Sequence, residues 1–302
     1  MTKRSGKTFN YFAYGSNTEP QDFKVKTGLE LPEHYRIGAL GDRRLAFTYR
    51  SRSREGGVLD VVPCQGSLVE GVVYSVNEEV MEAIREKEGA PYIERQEWVY
   101  LSSGERVWAH FFEVRQHLRR DYVQPSRRYL GIVLKGYRRC GVRRDLLRAA
   151  ARNKSAETSI DPRLFTYGTL MRGQSRHDIL KAIAEPEYWK AEIFGTLHSF
   201  GEYPALTIDE QFPAILVQGE LHRLKVRQNL FDTLDQVEGA LPQTSQASGY
   251  YRTPVTFGLP DRQRIRNGWA YVWWGDLPPN ACRLRGGDWR TVGQPKWPRL
   301  LH

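Results

Sequence analysis

Two stretches of this chain end in the same way. Phe9–Asn17 reads FNYFAYGSN and Leu164–Leu170 reads LFTYGTL. Each is an aromatic, β-forming run that stops at Tyr-Gly before a polar residue. Each is followed by an apolar-periodic segment that stops at Glu-Gly. Tyr14 and Glu88 are 74 positions apart, and Tyr167 and Glu238 are 71 apart. A chain that repeats strand end and helix end at matched spacing is expected to fold as two copies of one unit. Its 302 residues fit two domains at about 150 residues each. The polar stretch NKSAETSIDP, Asn153 to Pro162, has no apolar period and is the expected boundary. The expected domains are 1–155 and 160–302.

The runs between these landmarks are mostly strand-like. FNYFAY, RLAFTYR, GGVLDVVP, VEGVVYSV, QEWVYL and RVWAHFFEV fill the first half, bounded by turn residues. FPAILVQGELHRL, YYRTPVTFG and NGWAYVWWG continue the second. Helices are expected at Asn77–Gly89, near Val142, over SRHDILKAIA, and at Arg227–Gly239. Asn77 suits an N-cap and Gly89 a C-terminal stop. No alternating strand–helix pattern, GxGxxG or P-loop is present. Many short strands with few helices predict an α+β fold of two tandem compact β-barrel domains with flanking helices.

Val80, Ile84 and Glu88 are spaced by four, as are Leu230, Leu234 and Glu238. Each glutamate therefore extends an apolar helical stripe. It also sits at a helix C-terminus, where the dipole disfavours a carboxylate. Both effects predict a raised pKa, which suits a general acid or base. A lone Glu before a helix-ending Gly is ordinarily a surface residue, and a lone Tyr-Gly ordinarily a turn. The repetition of both in order favours a site. Glycine beyond a strand lets successive N–H groups form an anion-binding nest, and Ser16, Asn17 or Thr169 adds side-chain hydrogen bonds.

Charge and cysteine content narrow the class. The net charge is +10, and Arg115–Lys154 alone holds 13 Lys or Arg against Asp121 and Asp145. A solvated helix face and linker explains this segment more simply than nucleic-acid binding, because the rest of the chain is nearly neutral. Nucleic acid is therefore not the expected partner. Cys64, Cys140 and Cys282 are isolated and offer neither a disulfide framework nor zinc spacing. No apolar run approaches the ~18 residues of a membrane span. The start, MTKRSGKTFNYF, lacks an apolar secretory segment, so the expected location is cytoplasmic. Oligomeric state is not encoded in any of these features.

With these residues in place, the first half resembles the gamma-glutamylcyclotransferase family through YFAYGSN, RLAFTYRS, GGVLDVVPCQGSLVEGVVYSV, EKEGAPY and QPSRRY. The second half is similar to the smaller cyclotransferase-like branch through LFTYGTLMRG, GEYPALTI, VQGELHRL, LDQVEG, YYRTPV and GGDWR. The resemblance implies a compact barrel that cyclises gamma-glutamyl amines or amino acids. The substrate's α-amine attacks its own γ-carbonyl, releasing 5-oxoproline and a free amine, with no metal or cofactor. It assigns the acid/base role to Glu88 and Glu238. It assigns substrate contacts to Tyr11, Phe12, Ala13, Tyr14, Gly15, Ser16 and Asn17, to Tyr129, and to Tyr167, Gly168, Thr169 and Leu170. The expected partner is a small gamma-glutamyl compound. Asn17 against Leu170 predicts different substrate ranges for the two halves. The sequence departs from the family at Thr18-Glu19-Pro20, where Leu and then a helix start are usual. The alternative from another class is a module that binds small carboxylates or acidic partners without turnover.

Overall fold

The computed structural model describes residues 7–155, 160–208, 214–225, 229–259 and 264–292. The chain divides into two compact units, Met1–Ile160 and Asp161–His302.

The first unit is a closed barrel of five strands in the order β1-β3-β2-β4-β5. These are β1 (Thr8–Ala13), β2 (Tyr35–Ser51), β3 (Gly56–Asn77), β4 (Tyr92–Leu101) and β5 (Arg106–Val114). β1 runs antiparallel to β3 and closes the barrel by a parallel bridge to β5, Tyr11 opposite His110. The runs GGVLDVVP and VEGVVYSV are one continuous strand, β3, despite Pro63 and Gly66 between them. Four helices flank the barrel: α1 (Pro20–Thr27), α2 (Glu78–Glu88), α3 (Arg127–Cys140) and α4 (Asp145–Ala151). The Asn77 side chain accepts the Val80 amide at 2.9 Å and opens α2. Gly89, at φ 67°, stops it, a backbone state that favours glycine. The departure at Pro20 resolves simply. Pro20 is the first residue of α1, where its fixed φ and missing N–H are tolerated.

The second unit repeats the barrel as β10-β11-β6-β9-β7, closed by a bridge between β7 and β10. Its strands are β6 (Arg163–Thr166), β7 (Ala184–Ser199), β8 (Pro204–Thr207), β9 (Ile215–Leu224), β10 (Gly249–Leu259), β11 (Arg264–Trp274) and β12 (Cys282–Leu284). β8 and β12 pair with β7 outside the closed circuit. Two helices are α5 (His177–Ile183) and α6 (Asp232–Glu238). The helix expected over Arg227–Gly239 is thus shorter. Leu230 precedes it, and positions 226–228 lie outside the described residues, as do linker positions 156–159.

The repeat extends to single contacts. The Phe12 and Tyr14 rings lie 6.4 Å apart, and those of Phe165 and Tyr167 lie 6.3 Å apart. Tyr14 donates its hydroxyl to the Phe112 carbonyl of β5, and Tyr167 donates to the Tyr271 carbonyl of β11, at 2.5 and 2.6 Å. A Cβ on Gly71 would stand 2.4 Å from the Ala13 carbonyl oxygen, and one on Gly219 would stand 2.2 Å from that of Thr166. In both barrels the site strand therefore lies hard against a glycine of its neighbour, which fixes where the Tyr-Gly loop emerges.

Candidate active site

In the first unit, Tyr11, Tyr14, Gly15, Ser16, Asn17, Glu88 and Tyr129 line one cavity, together with Leu59, Tyr92 and Phe112. Phe12 and Ala13 are not in that lining. Both are fully buried in the barrel core. Gly15 has a φ of −113° and needs no special freedom. A Cβ there would instead stand 3.7 Å from the Tyr129 hydroxyl, inside the site. After it, Ser16–Thr18 form a single 3-10 turn, and the backbone of α3 packs on that turn at Gly136.

Glu88 is engaged by its own loop. The Asn17 amide donates to Glu88 Oε1 at 3.0 Å and to the Tyr11 hydroxyl at 2.6 Å. Lys87 Nζ lies 3.7 Å from Glu88 and donates to Ser16 Oγ at 3.2 Å. Arg54 spans the same mouth, paired with Asp22 at 2.6 Å and reaching Ser16 Oγ at 3.5 Å. The cavity left between these groups is small, about 30 Å³. Burial pushes the Tyr11 hydroxyl well above its ordinary range, and the Glu88 charge adds to that shift.

In the second unit, Tyr167, Gly168, Thr169 and Leu170 line a cleft of about 520 Å³ with Glu238. That volume is in the range of small-molecule sites, ~300–1,000 Å³. Gly168 is required by its neighbour, since a Cβ would stand 2.3 Å from Pro204 Cγ. Glu238 closes α6, and Gly239 follows in the left-handed region at φ 59°. The helix end is held one turn earlier. Arg252 donates to Asp235 at 2.9 and 3.1 Å, and the Tyr271 hydroxyl donates to it at 2.8 Å. Glu238 Oε1 is buried without a hydrogen-bond partner among the described residues. Arg176 Nη1 stands 3.9 Å from it. Burial pushes the Glu238 carboxyl above its ordinary range, and the Arg176 charge opposes that push. Tyr250, which donates to the Pro204 carbonyl at 2.9 Å, is raised by burial first and then by Glu238.

Several residues that contact or line the two sites escape sequence reasoning. Lys87 and Arg54 in the first unit, and Arg176 and Tyr250 in the second, belong to no repeated pair. Tyr129 lies in the first turn of α3, a helix that two internal glycines conceal. Part of the basic segment is committed to local partners. Arg139 donates to the Thr18 carbonyl at 2.9 Å and to the Tyr74 hydroxyl at 3.1 Å, and Arg119 pairs with Asp60 at 2.8 Å. Among the described residues, no group of three or more His, Cys, Asp or Glu side chains is placed to hold a metal ion. None of the described helices is long and apolar enough to cross a membrane.

Fold and site define a class: tandem five-stranded barrels, each presenting a Tyr-Gly loop to a carboxylate at a helix end. A family model described as gamma-glutamyl cyclotransferase, AIG2-like, matches residues 11–131 and again residues 164–291, and the chain belongs to that family. The gamma-glutamylcyclotransferase of Bos taurus is 23% identical over 149 residues, covering 47% of this chain and 77% of the relative. A solved gamma-glutamyl cyclotransferase is 20% identical and covers 58% of this chain and 99% of its own, with a TM-score of 0.42. The structure of YkqA from Bacillus subtilis is 11% identical and covers 89% of this chain and 85% of its own, with a TM-score of 0.35.

Proposed function

We propose that the protein cyclises gamma-glutamyl amines or amino acids, releasing 5-oxoproline and the free amine, and that Glu238 is its principal acid/base. The observation that carries this reading is a carboxylate whose Oε1 is buried without a hydrogen-bond partner among the described residues, beside the Tyr167–Leu170 loop in an accessible cleft. A carboxylate in that setting is costly to the fold and suited to proton transfer.

The chemistry needs little beyond positioning. The substrate supplies both nucleophile and electrophile, so the cleft must fold the glutamyl chain until its α-nitrogen reaches its γ-carbon. Such preorganisation can remove about 7–11 kcal/mol of barrier in favourable intramolecular cases. Ionised Glu238 takes a proton from the α-amine as the new C–N bond forms. The same carboxyl then returns that proton to the departing nitrogen as the γ-amide bond breaks. The amides following Gly168 are suited to the substrate carboxylate or to the oxygen that gains charge. In the first unit Glu88 is the equivalent base. Turnover there requires Asn17 and Lys87 to yield the carboxylate, because they crowd it and the cavity is only about 30 Å³.

The test is 5-oxoproline release from a panel of gamma-glutamyl amino acids and alkylamines, with wild type, Glu88→Gln, Glu238→Gln and the double variant. Release that the double variant abolishes is expected. Absence of release across the panel in wild type overturns the reading and leaves the carboxylate-binding module.

A further inference from the structure

The second unit carries another cavity, separate from the Glu238 cleft. Its volume is about 560 Å³, again in the small-molecule range of ~300–1,000 Å³. It lies between α5, the turn after the Tyr-Gly loop, the start of β7 and the end of β9. The pairing of β7 with β9 slips between Ala184 and Tyr188. Such irregularities bend a strand and locally disrupt its ladder.

The floor of this cavity is a built arrangement. His222 is 3% exposed. Its Nε2 lies 3.2 Å from Glu220 Oε2, which also accepts the Arg172 amide at 2.8 Å. The Tyr188 ring stacks on His222 at 5.9 Å and 15°. The Arg172 guanidinium sits 4.7 Å from the Tyr188 ring centroid. Lys181 of α5 and Lys225 beyond β9 complete a cationic lining.

Charge decides what such a cavity takes. Arg172, Lys181 and Lys225 come from three separate segments, and among the described residues none is ion-paired. Among the lining residues the carboxylate is Glu185; Glu220, outside the lining, contacts His222 and the Arg172 amide. Three lining cations against one lining carboxylate favour an anionic ligand. Arginine and lysine together suit phosphate, one as a planar fork and the other as a point charge. The volume exceeds what a bare phosphate fills.

We propose that this cavity binds a small phosphate monoester, its phosphate among Arg172, Lys181 and Lys225 and its organic body in the remaining space. The proposal stands independently of the cyclotransferase reading. Titration calorimetry of the full chain at low ionic strength tests it with AMP, a hexose phosphate, inorganic phosphate, and the unphosphorylated parents adenosine and hexose. The esters are expected to bind and the parents are not. Lys181 and Lys225 are exposed, so Lys181→Gln with Lys225→Gln leaves folding intact. That pair should weaken ester binding by about tenfold or more, the scale of one charge-assisted hydrogen bond. Glu238→Gln should leave ester binding unchanged, because that carboxylate lines the other cavity. Binding that survives loss of both lysines, or that Glu238→Gln alters, overturns the assignment. So does absence of ester binding. Inorganic phosphate binding as tightly as the esters would remove the organic body from the proposal.

Discussion

Arg176 joins the two halves of the second unit's site. Its backbone amide donates to the Thr169 carbonyl of the loop at 2.9 Å. Its guanidinium donates to the Val237 carbonyl at 3.3 Å and stands 3.9 Å from Glu238 Oε1. One residue thus bridges the Tyr-Gly loop and the carboxylate, and supplies a cation that opposes the effect of burial.

The pH profile should report this relationship. Burial raises the Glu238 carboxyl, and Arg176 lowers it. Removing the cation leaves burial unopposed, so the pKa rises further. The ionised base is then available only at higher pH. In Arg176→Ala the ascending limb of kcat/KM against pH should move upward, while Arg176→Lys retains part of the wild-type position. An unmoved limb in the alanine variant would show that Arg176 does not act through the carboxylate.

Glu238 should cost the fold what it gives the chemistry. A group whose folded pKa is raised contributes stability below its unfolded value, near pH ~4.3, that is lost as pH rises through the folded value. At neutral pH the ionised form is therefore a penalty, and Glu238→Gln removes it. The variant should be more stable than wild type at pH 7, with the difference disappearing below about pH 4. Its turnover should fall by about 10²–10⁴, the usual contribution of a general base. Amide hydrogen exchange in α6 and β10 reads the stability directly. Lower protection in the variant at pH 7 would contradict the linkage.

Much of this site was legible because its parts repeat. Tyr-Gly at strand ends and Glu-Gly at helix ends are local signals, and Gly89 and Gly239 do adopt positive φ after the glutamates. Long-range partners were not legible. Nothing near Arg176 in the chain points to Glu238, and nothing near Asn17 predicts that its amide would occupy Glu88. Strand continuity was also hidden. Pro63 and Gly66 read as turn residues, yet β3 runs through both, because barrel strands absorb bends that flat sheets do not. β7 escaped the reading because Pro186 and several charges interrupt its alternation.

The two glutamates should contribute unequally. The second unit's cleft is about 520 Å³, whereas the first unit's cavity is about 30 Å³ and its carboxylate is already bound by Asn17. Freeing Glu88 requires breaking that hydrogen bond and displacing Lys87. Glu238→Gln should therefore remove most 5-oxoproline release across the substrate panel, and Glu88→Gln the smaller share. Equal losses from the two variants would show that the first site opens readily in solution.

The basic segment should divide into structural and surface residues. Arg139 holds the turn after Asn17 through the Thr18 carbonyl and packs 5.1 Å from the Tyr35 ring centroid. Arg139→Ala should destabilise the first unit by about 1 kcal/mol, at the modest end for hydrogen bonds from a partly exposed charge. Arg127→Gln with Arg128→Gln, on the exposed start of α3, should leave stability within about 0.5 kcal/mol. Urea denaturation separates the two. A comparable loss in both would mean that the whole segment is structural.

The last contrast lies within α3 itself, Arg127–Cys140, which carries two glycines. Replacing a helical glycine by alanine ordinarily stabilises by about 0.5–1 kcal/mol, because the unfolded chain loses freedom. Gly131 has nothing within 4 Å of an added Cβ, so Gly131→Ala should show that gain. Gly136 differs. An added Cβ would stand 2.3 Å from Thr18 Oγ1, 2.7 Å from the Thr18 carbonyl carbon and 2.9 Å from the Glu19 nitrogen. Two of these three atoms are backbone and cannot rotate aside. The overlap must therefore move either α3 or the turn that follows Asn17. Overpacking of this kind costs about 1–3 kcal/mol, which exceeds the propensity gain and reverses its sign. Gly136→Ala should destabilise the first unit and displace Tyr129, two turns earlier on the same face of α3, from the Glu88 cavity. Urea denaturation midpoints of the two variants should thus fall on opposite sides of wild type. A stabilised Gly136→Ala would show that α3 is not seated on the loop.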